Sequence, residues 1–473
     1  MANKTNEAIY DARKLGVPKM LVLGFQHMFA MFGATVLVPL LTGLNISTTL
    51  LMAGIGTLLF HLITKRKVPA FLGSSFAFLG GYAAVAPLAG NGTMTNAQLL
   101  PYASVGIVCA GLVYLVLALL IKCVGIKKVM RFFPPVVTGP IIIAIGLGLS
   151  GSAVTNCSNN WLIAIIALAI VIIFNSWGKG MAKIIPILLG VLGSCLIAAI
   201  FAITCGQTVA IDGVDYITIA GNPSLKLFTQ ASLDNFIQAP WLGLPIKWQN
   251  TIFGGVDWSQ TSLIISAIVA IVPISLATMM EHIGDISAIS STVGINYIAD
   301  PGLHRTLMGD GLATSLAAIF GGPANTTYGE NTGVLALSKV YDPRVIRIAA
   351  TLAIILSFSP KFEAFINLIP AAIIGGISFV LYGMISAVGV KNIVETKVDF
   401  TKSRNLIIAA IILVSALGLG NAATFQIGSV TISLSALAIA SIIGILLNAI
   451  LPGKDYNFGK DHDETDTGVD FKV

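Results

Sequence analysis

Pro323-Ala324-Asn325-Thr326-Thr327-Tyr328-Gly329-Glu330-Asn331-Thr332-Gly333 is an odd stretch to find among apolar segments. It holds a glutamate, two asparagines, three threonines and two glycines at a depth where its neighbours require a membrane-crossing helix. Such a composition makes poor helix, and an extended strip leaves backbone N–H groups to be satisfied from elsewhere. A second strip, Gly73-Ser74-Ser75-Phe76-Ala77-Phe78, interrupts another apolar run early in the chain. Broken crossings at corresponding places in two halves point to a transporter built from repeats, with its ligand held where the helices break.

The rest of the chain agrees. Of 473 residues, 56% are hydrophobic and only 10% are charged, and the mean hydropathy is +0.90. A soluble domain carries roughly 25% charged residues, so lipid must be the solvent here. The net charge of +6 follows from membrane topology, and nucleic acid is not an expected partner. Residues 1–19 are polar, with Lys4, Arg13, Lys14 and Lys19, and contain no cleavable signal. Cys109, Cys123, Cys157, Cys195 and Cys205 form no CxxC pair or metal-ligand spacing and read as small apolar residues.

Apolar runs bounded by polar or turn residues lie at 20–41, 48–63, 71–89, 103–121, 135–154, 161–177, 184–204, 263–290, 306–321, 324–338, 345–359, 366–389, 405–419 and 430–451, some of them too short to cross a bilayer as a plain helix. That predicts fourteen spans. If the N-terminus is cytoplasmic and sides alternate, 24 of the 27 Lys and Arg fall inside, leaving Lys226, Lys247 and Lys361 outside. One missed or invented span would scramble that bias.

The expected organisation is a cytoplasmic N-terminal segment (1–19), a first seven-span repeat (20–204), an extracytoplasmic loop (205–260), a second repeat (261–452) and an acidic cytoplasmic tail (453–473). Trp241, Trp248 and Trp258 place the loop along the outer interface. An odd number of spans per unit inverts the second copy. A faint echo supports the duplication: Phe133-Pro134 with Gly139, and Ile369-Pro370 with Gly375 at the same spacing.

Nearly all of the 21 acidic residues lie in loops or termini; Glu281, Asp285, Glu330 and Asp310 are the exceptions. A charge at bilayer depth costs about 2.5–3.5 kcal/mol, so these residues face a cavity or take up a proton. Glu281 and Asp285, four apart, share one helix face. Leu263–Met280 could already span the membrane, which would leave Glu281 at the inner surface. The uncharged run continues to Ala299, however, and favours a deep Glu281. Gln26 and His27 in span one and His61 in span two read as hydrogen-bonded structural groups. Phe76, Phe78, Tyr328 and Tyr382 are candidates to stack on a flat ligand. No His-Glu-x-x-His, phosphate-binding glycine loop or nucleophile elbow is present, so no catalytic or metal site is expected.

At these residues the sequence resembles the nucleobase–ascorbate transporter (nucleobase:cation symporter-2) family. The resemblance runs from about Leu15 to Pro452. Its most specific stretches are Gln26 to Ala34, Gly73 to Phe78, Glu281-His282-Ile283-Gly284-Asp285, Asp300-Pro301-Gly302-Leu303-His304-Arg305, and Asn325 to Val334. The family signature, an acid or amide then Asn-x-Gly, four residues and a Thr, matches Glu330-Asn331-Thr332-Gly333 with Ser338 in the last place.

The resemblance implies an all-α polytopic membrane protein. Its fourteen segments would form a 7+7 inverted repeat, with a core (spans 1–4 and 8–11), a gate (5–7 and 12–14) and short antiparallel strands in segments three and ten. It implies that Glu281 accepts from the ring N–H groups of a base, and that backbone amides at Phe76, Gly329 and Glu330 meet its carbonyls. Ala34, Tyr328 and Tyr382 would border the pocket, beside Asp285. The Tyr328-Gly329-Glu330-Asn331 form is closer to the pyrimidine branch and implies uracil import with a proton carried through Glu330 or Glu281. No cofactor beyond that proton is expected. The expected partners are the base, membrane lipid and a second copy in a homodimer. Some uracil-carrying members have His where this chain has Asp285, so a xanthine or urate carrier is the alternative, ahead of a passive channel.

Overall fold

The computed structural model describes residues 8–419, 423–427 and 430–453, without the side chains of 181, 184, 330, 423–427 and 430–433. The acidic tail beyond Gly453 lies outside the described residues.

The first part of the chain runs α1 (Val17–Thr42), α2 (Ile46–Ile63), β1 (Leu72–Ser74), α3 (Leu79–Val85), α4 (Asn96–Val124) and α5 (Ile126–Met130). It continues with α6 (Pro135–Gly148), α7 (Ser150–Cys157), α8 (Trp161–Trp177), α9 (Met181–Ile184) and α10 (Pro186–Cys205). A connection follows, with β2 (Gly206–Ile211), β3 (Val214–Ile219), β4 (Lys226–Thr229), α11 (Gln230–Gln238) and α12 (Ile252–Gly255). The second part runs α13 (Thr261–Ile271), α14 (Ser275–Val293), α15 (Leu303–Ile319), β5 (Asn325–Thr327), α16 (Gly329–Ser338), α17 (Pro343–Ser357) and α18 (Pro360–Asn367). It closes with α19 (Ala371–Glu395), α20 (Ser403–Gly418), β6 (Ala423–Ile427), β7 (Val430–Leu434) and α21 (Ala436–Ile450).

Among the described residues seven helical stretches are long and apolar enough to cross a membrane: α1, α2, α4, α6–α7, α10, α13–α14 and α19. An eighth, α17 with α18, is bent by 89°. The turns between them have local causes. Gly43, at φ 83°, ends α1 and donates to the Pro39 carbonyl, and the Asn45 side chain then caps α2 at the Thr48 N–H. Left-handed backbone of this kind suits a residue without Cβ.

The helices pack in two groups. In one, α4 and α2 lie against α15, and α17 against α1 and α2; in the other, α19 lies against α6, α7 and α8, and α20 against α6 and α21. Lipid supplies no hydrophobic drive between helices, so close approach of small residues does the work. A Cβ added to Gly111 would come within 2.6 Å of the Gly311 carbonyl oxygen, joining α4 to α15, and one on Gly389 within 2.8 Å of the Gly139 oxygen, joining α19 to α6.

The two broken segments meet. β1 pairs antiparallel with β5 in the register Leu72↔Thr327, Gly73↔Thr326 and Ser74↔Asn325. Ser75 N–H donates to the Ala324 oxygen and Tyr328 N–H to the Phe71 oxygen, both at 2.9 Å. Each strip thus supplies the backbone partners that the other lost by leaving helix, as a low-dielectric interior demands.

Four stretches differ from the sequence expectation. Residues 430–434 are strand, paired with 423–427, and only Ala436–Ile450 is helical. Val430-Thr431-Ile432-Ser433-Leu434 alternates with period two, a strand pattern hidden by the apolar average of the run. The connection after α10 contains an antiparallel β2-β3-β4 sheet. Asp212-Gly213, both at positive φ, is the tight hairpin turn that joins β2 to β3. The run read as 366–389 is helix from Ala371 to Glu395, and α18 is a separate piece cut off by Pro360 and Pro370. The long run at 263–290 is two helices joined by a 3-10 turn at Val272–Ile274, which contains Pro273.

Candidate functional site

Everything around the strand crossing is built to hold two helix starts together. β1 leads through a 3-10 turn (Phe76–Phe78) into α3, and β5 leads straight into α16 at Gly329. The first N–H groups of a helix have no partner within it and carry the positive end of its dipole. The amides of Gly329 and Glu330 occupy that position in α16.

Tyr328 fastens the crossing. Its hydroxyl donates to the Ser74 carbonyl at 2.9 Å and lies 3.3 Å from Thr35 Oγ1. Its ring lies over Gly73, where a Cβ would come within 2.5 Å of Tyr328 Cζ. That contact is why a glycine stands there. Ser74 Oγ in turn donates to the carbonyls of Thr35 (2.9 Å) and Ala34 (3.3 Å), binding β1 to α1. Tyr328 therefore acts as a brace, with its hydroxyl already engaged. Phe76 meets Tyr382 of α19 edge to face at 5.9 Å, a contact from the crossing to the other helix group. Phe78 is buried in the core.

Glu281 and Asp285 lie one turn apart on α14, which packs against α16. Both are partly buried. A Cβ on Gly329 would sit 3.3 Å from Asp285 Oδ1, so Asp285 lies directly beside the start of α16. Glu281 is the seventh residue of α14. Glu330 is the second residue of α16; its side chain lies outside the described ones.

Sequence reasoning missed His282. Its Nδ1 lies 2.9 Å from Asp310 Oδ2 and 2.9 Å from Thr327 Oγ1, and both His282 and Asp310 are fully buried. The signal was present, since a histidine follows Glu281 on an apolar helix and Asp310 lies on another. His27 and His61 are hydrogen-bonded structurally. Asn331 Nδ2 donates to the His27 carbonyl at 3.1 Å, tying α16 to α1, and His61 Nε2 lies 2.8 Å from the Ala70 carbonyl.

A cavity of ≈ 290 Å³ opens elsewhere, between the α1–α2 turn, Lys247, Asn250 and α18, and no crossing residue lines it. Its position does not outweigh the chemistry of the crossing, where the Asp285 carboxylate lies beside the first amides of α16. That pattern suits a flat, neutral ligand whose rim alternates N–H donors and C=O acceptors. Leaving such groups unpaired in a buried site costs about 1–3 kcal/mol each, which makes the match selective.

Comparison with known proteins agrees. A family model described as "Permease family" (Xan_ur_permease) matches residues 18–427. The chain is 39% identical over 461 residues to a uracil permease of Bacillus caldolyticus, covering 96% of each. It is 39% identical over 440 residues to a uracil permease of Bacillus subtilis (strain 168), covering 90% of this chain and 91% of that one. A uracil permease of Escherichia coli (strain K12) is 35% identical over 457 residues, with 94% of each covered. Among solved structures, the transmembrane domain of the cyanobacterial bicarbonate transporter BicA superposes with TM-score 0.61 at 14% identity, over 93% of this chain and 99% of that one. SLC26A9 does so with TM-score 0.63 at 12% identity, over 93% and 66%. At that identity the structural likeness speaks for the fold alone, and the fold is that of a helical polytopic transporter. This multi-pass membrane protein belongs to the nucleobase:cation symporter-2 (nucleobase–ascorbate) permease family and is a transporter rather than an enzyme.

Proposed function

We propose that the chain imports uracil across the cell membrane together with a proton. The observation that carries this reading is the near full-length similarity to proteins named uracil permease, at 39% identity. The site is consistent with it. Glu281 would accept from the ring N–H groups, and the amides at Phe76, Gly329 and Glu330 would donate to the carbonyls, with Ala34, Tyr328, Tyr382 and Asp285 around them. A proton bound at Glu330 or Glu281 would travel with the base. One charge moving inward gains about 2.3 kcal/mol per 100 mV, enough for tens-fold accumulation of a neutral solute.

Fourteen spans with both termini cytoplasmic complete the proposal. The order helix, helix, strand-then-helix, helix occurs in α1 to α4 and again in α13 to α17, which supports a 7+7 inverted repeat. The group holding the crossing would be the core and the group around α19 the gate. Transport would follow from movement of one against the other, with Phe76–Tyr382 on the dividing surface. Asp285 favours a second reading, a carrier of xanthine or urate.

Purified protein in liposomes tests both. Labelled uracil should accumulate under an inward proton gradient and be displaced by unlabelled uracil ahead of xanthine. Uptake indifferent to an uncoupler would remove the proton, and stronger displacement by xanthine would replace the substrate.

A further inference from the structure

Between α11 and α13 the chain crosses one end of the bundle with its backbone tied down and its large apolar side chains turned outward. The ties are specific. Gly243 N–H donates to the Phe358 carbonyl and Lys361 N–H to that of Pro240, both at 2.9 Å. Thr48 Oγ1 donates to the Pro245 carbonyl, and Asp257 N–H to Tyr102 Oη at 3.1 Å. These partners lie at the start of α2, near the start of α4, just past α17 and in α18. The segment therefore lies in the plane where those helices leave the membrane. Every tie runs to the helix group that contains the strand crossing, whereas the β2-β3-β4 sheet is tied to the other group through Lys226 N–H and the Asn159 carbonyl.

Trp241, Leu242, Leu244, Trp248, Phe253 and Trp258 are 53–83% exposed. A scattered exposed leucine needs no explanation, but six large apolar side chains within one short segment form a patch. Covering them would be favourable in proportion to the apolar area removed from water. The tethered backbone prevents the segment from folding them inward. Three of the chain's five tryptophans are here. Tryptophan joins an apolar ring to an N–H donor and favours the boundary between headgroups and acyl chains over bulk water or hydrocarbon. Lys247 is exposed in the same segment, and the Lys361 ammonium lies 5.9 Å from the centre of the Trp241 ring, which supplies positive charge at phosphate level.

We propose that residues 236–258 form a bilayer anchor: a lipid-docking surface, inserted at the membrane–water interface, that holds the crossing-bearing helix group by its end. When that group moves during transport, the anchor either follows against the lipid or bends at its ties, so the transport rate becomes sensitive to bilayer thickness. The occupant is the interfacial layer of the bilayer, and a second copy of the chain is the competing outcome.

The test uses the full chain in phosphatidylcholine liposomes. Three variants each keep one of Trp241, Trp248 and Trp258, with the other four tryptophans changed to Phe. Lipids brominated near the headgroup should quench each residue several-fold more than lipids brominated at the chain end, and acrylamide should quench weakly. Strong quenching by acrylamide with none by either lipid would overturn the proposal. So would protection from all three quenchers together with cross-linking between copies. These readouts involve no substrate and stand or fall apart from the uracil assignment. A triple variant, Trp241→Gln, Trp248→Gln and Trp258→Gln, should bind uracil unchanged but transport it several-fold more slowly and lose the dependence on acyl-chain length. Retention of that dependence would also overturn the proposal.

Discussion

His282 Nδ1 lies 2.9 Å from the carboxylate of Asp310, with both side chains fully buried, and the same nitrogen lies 2.9 Å from the Thr327 hydroxyl. One contact point therefore joins α14, α15 and β5 immediately beside Glu281. Because His282 follows Glu281 in the chain and Thr327 precedes Tyr328, the knot sets the relative height of the two acid-bearing segments.

Removing one member of this pair strands the other as a buried polar group without its neighbour, at a cost of about 1–3 kcal/mol. Asp310→Leu is expected to lower the melting temperature sharply and to abolish ligand binding. Asp310→Asn, which keeps a polar group of the same shape beside the imidazole, should lose less. Thermal melts in detergent with and without uracil read both, and equal loss in the two variants would argue against the contact.

Gly73→Ala places a methyl where the Tyr328 ring lies, 2.5 Å from Cζ and 2.8 Å from Thr35 Oγ1. Either the strand or the ring must shift. Uracil affinity should fall at least about tenfold, since 1.4 kcal/mol is a tenfold change in binding. Tyr328→Phe, which keeps the ring but removes the hydroxyl that meets the Ser74 carbonyl and Thr35 Oγ1, should cost roughly 1–3 kcal/mol of stability. Calorimetry on the two variants distinguishes displacement from a lost hydrogen bond.

Glu281→Gln keeps the shape of the side chain but removes its charge. If it accepts from a ring N–H, uracil binding should weaken by about 1.5–3 kcal/mol. Asp285→His, one turn away, should shift preference between uracil and xanthine with a smaller effect on uracil itself. A direct binding panel with both bases decides, and unchanged affinity for Glu281→Gln would remove that residue from the pocket.

At one end of the helix bundle the N-terminal segment is strapped down. Ile9 N–H bonds to the Lys339 carbonyl and Tyr10 Oη to that of Val293, and Arg344 bridges Asp11 and Asp342. The Arg13 side chain beside Asp11, with Arg344 adding to it, holds the Asp11 carboxyl well below the usual carboxylate range. A lowered folded-state value means that its stabilising contribution is fully present above the ordinary carboxylate range and disappears only as pH falls below it. Proteolysis of the segment should thus be equally slow at pH 8 and pH 5. Asp11→Asn should speed it at both, and a rise confined to the acidic sample of the unmodified chain would contradict the assignment.

Local composition made much of this molecule readable. The partition of Leu263–Met280 or Val105–Leu120 into lipid needs no knowledge of neighbours. The glycines and threonines of 73–78 and 325–333 announce that helix fails there. The β6–β7 hairpin and the sheet after α10 carried readable period-two signals, but these were masked by high average hydropathy in the first and by loop-like polarity in the second.

The chain by itself therefore determined that this is a membrane transporter with two interrupted crossings and acids beside them. Only the tertiary structure decided that Leu72 faces Thr327, that Phe76 meets Tyr382 and that His282 finds Asp310. Those partners are far apart along the chain, or lie on separate helices. Their pairing follows from how two helix groups pack and from the need of every buried N–H and carboxylate for a partner, which no local window of sequence contains.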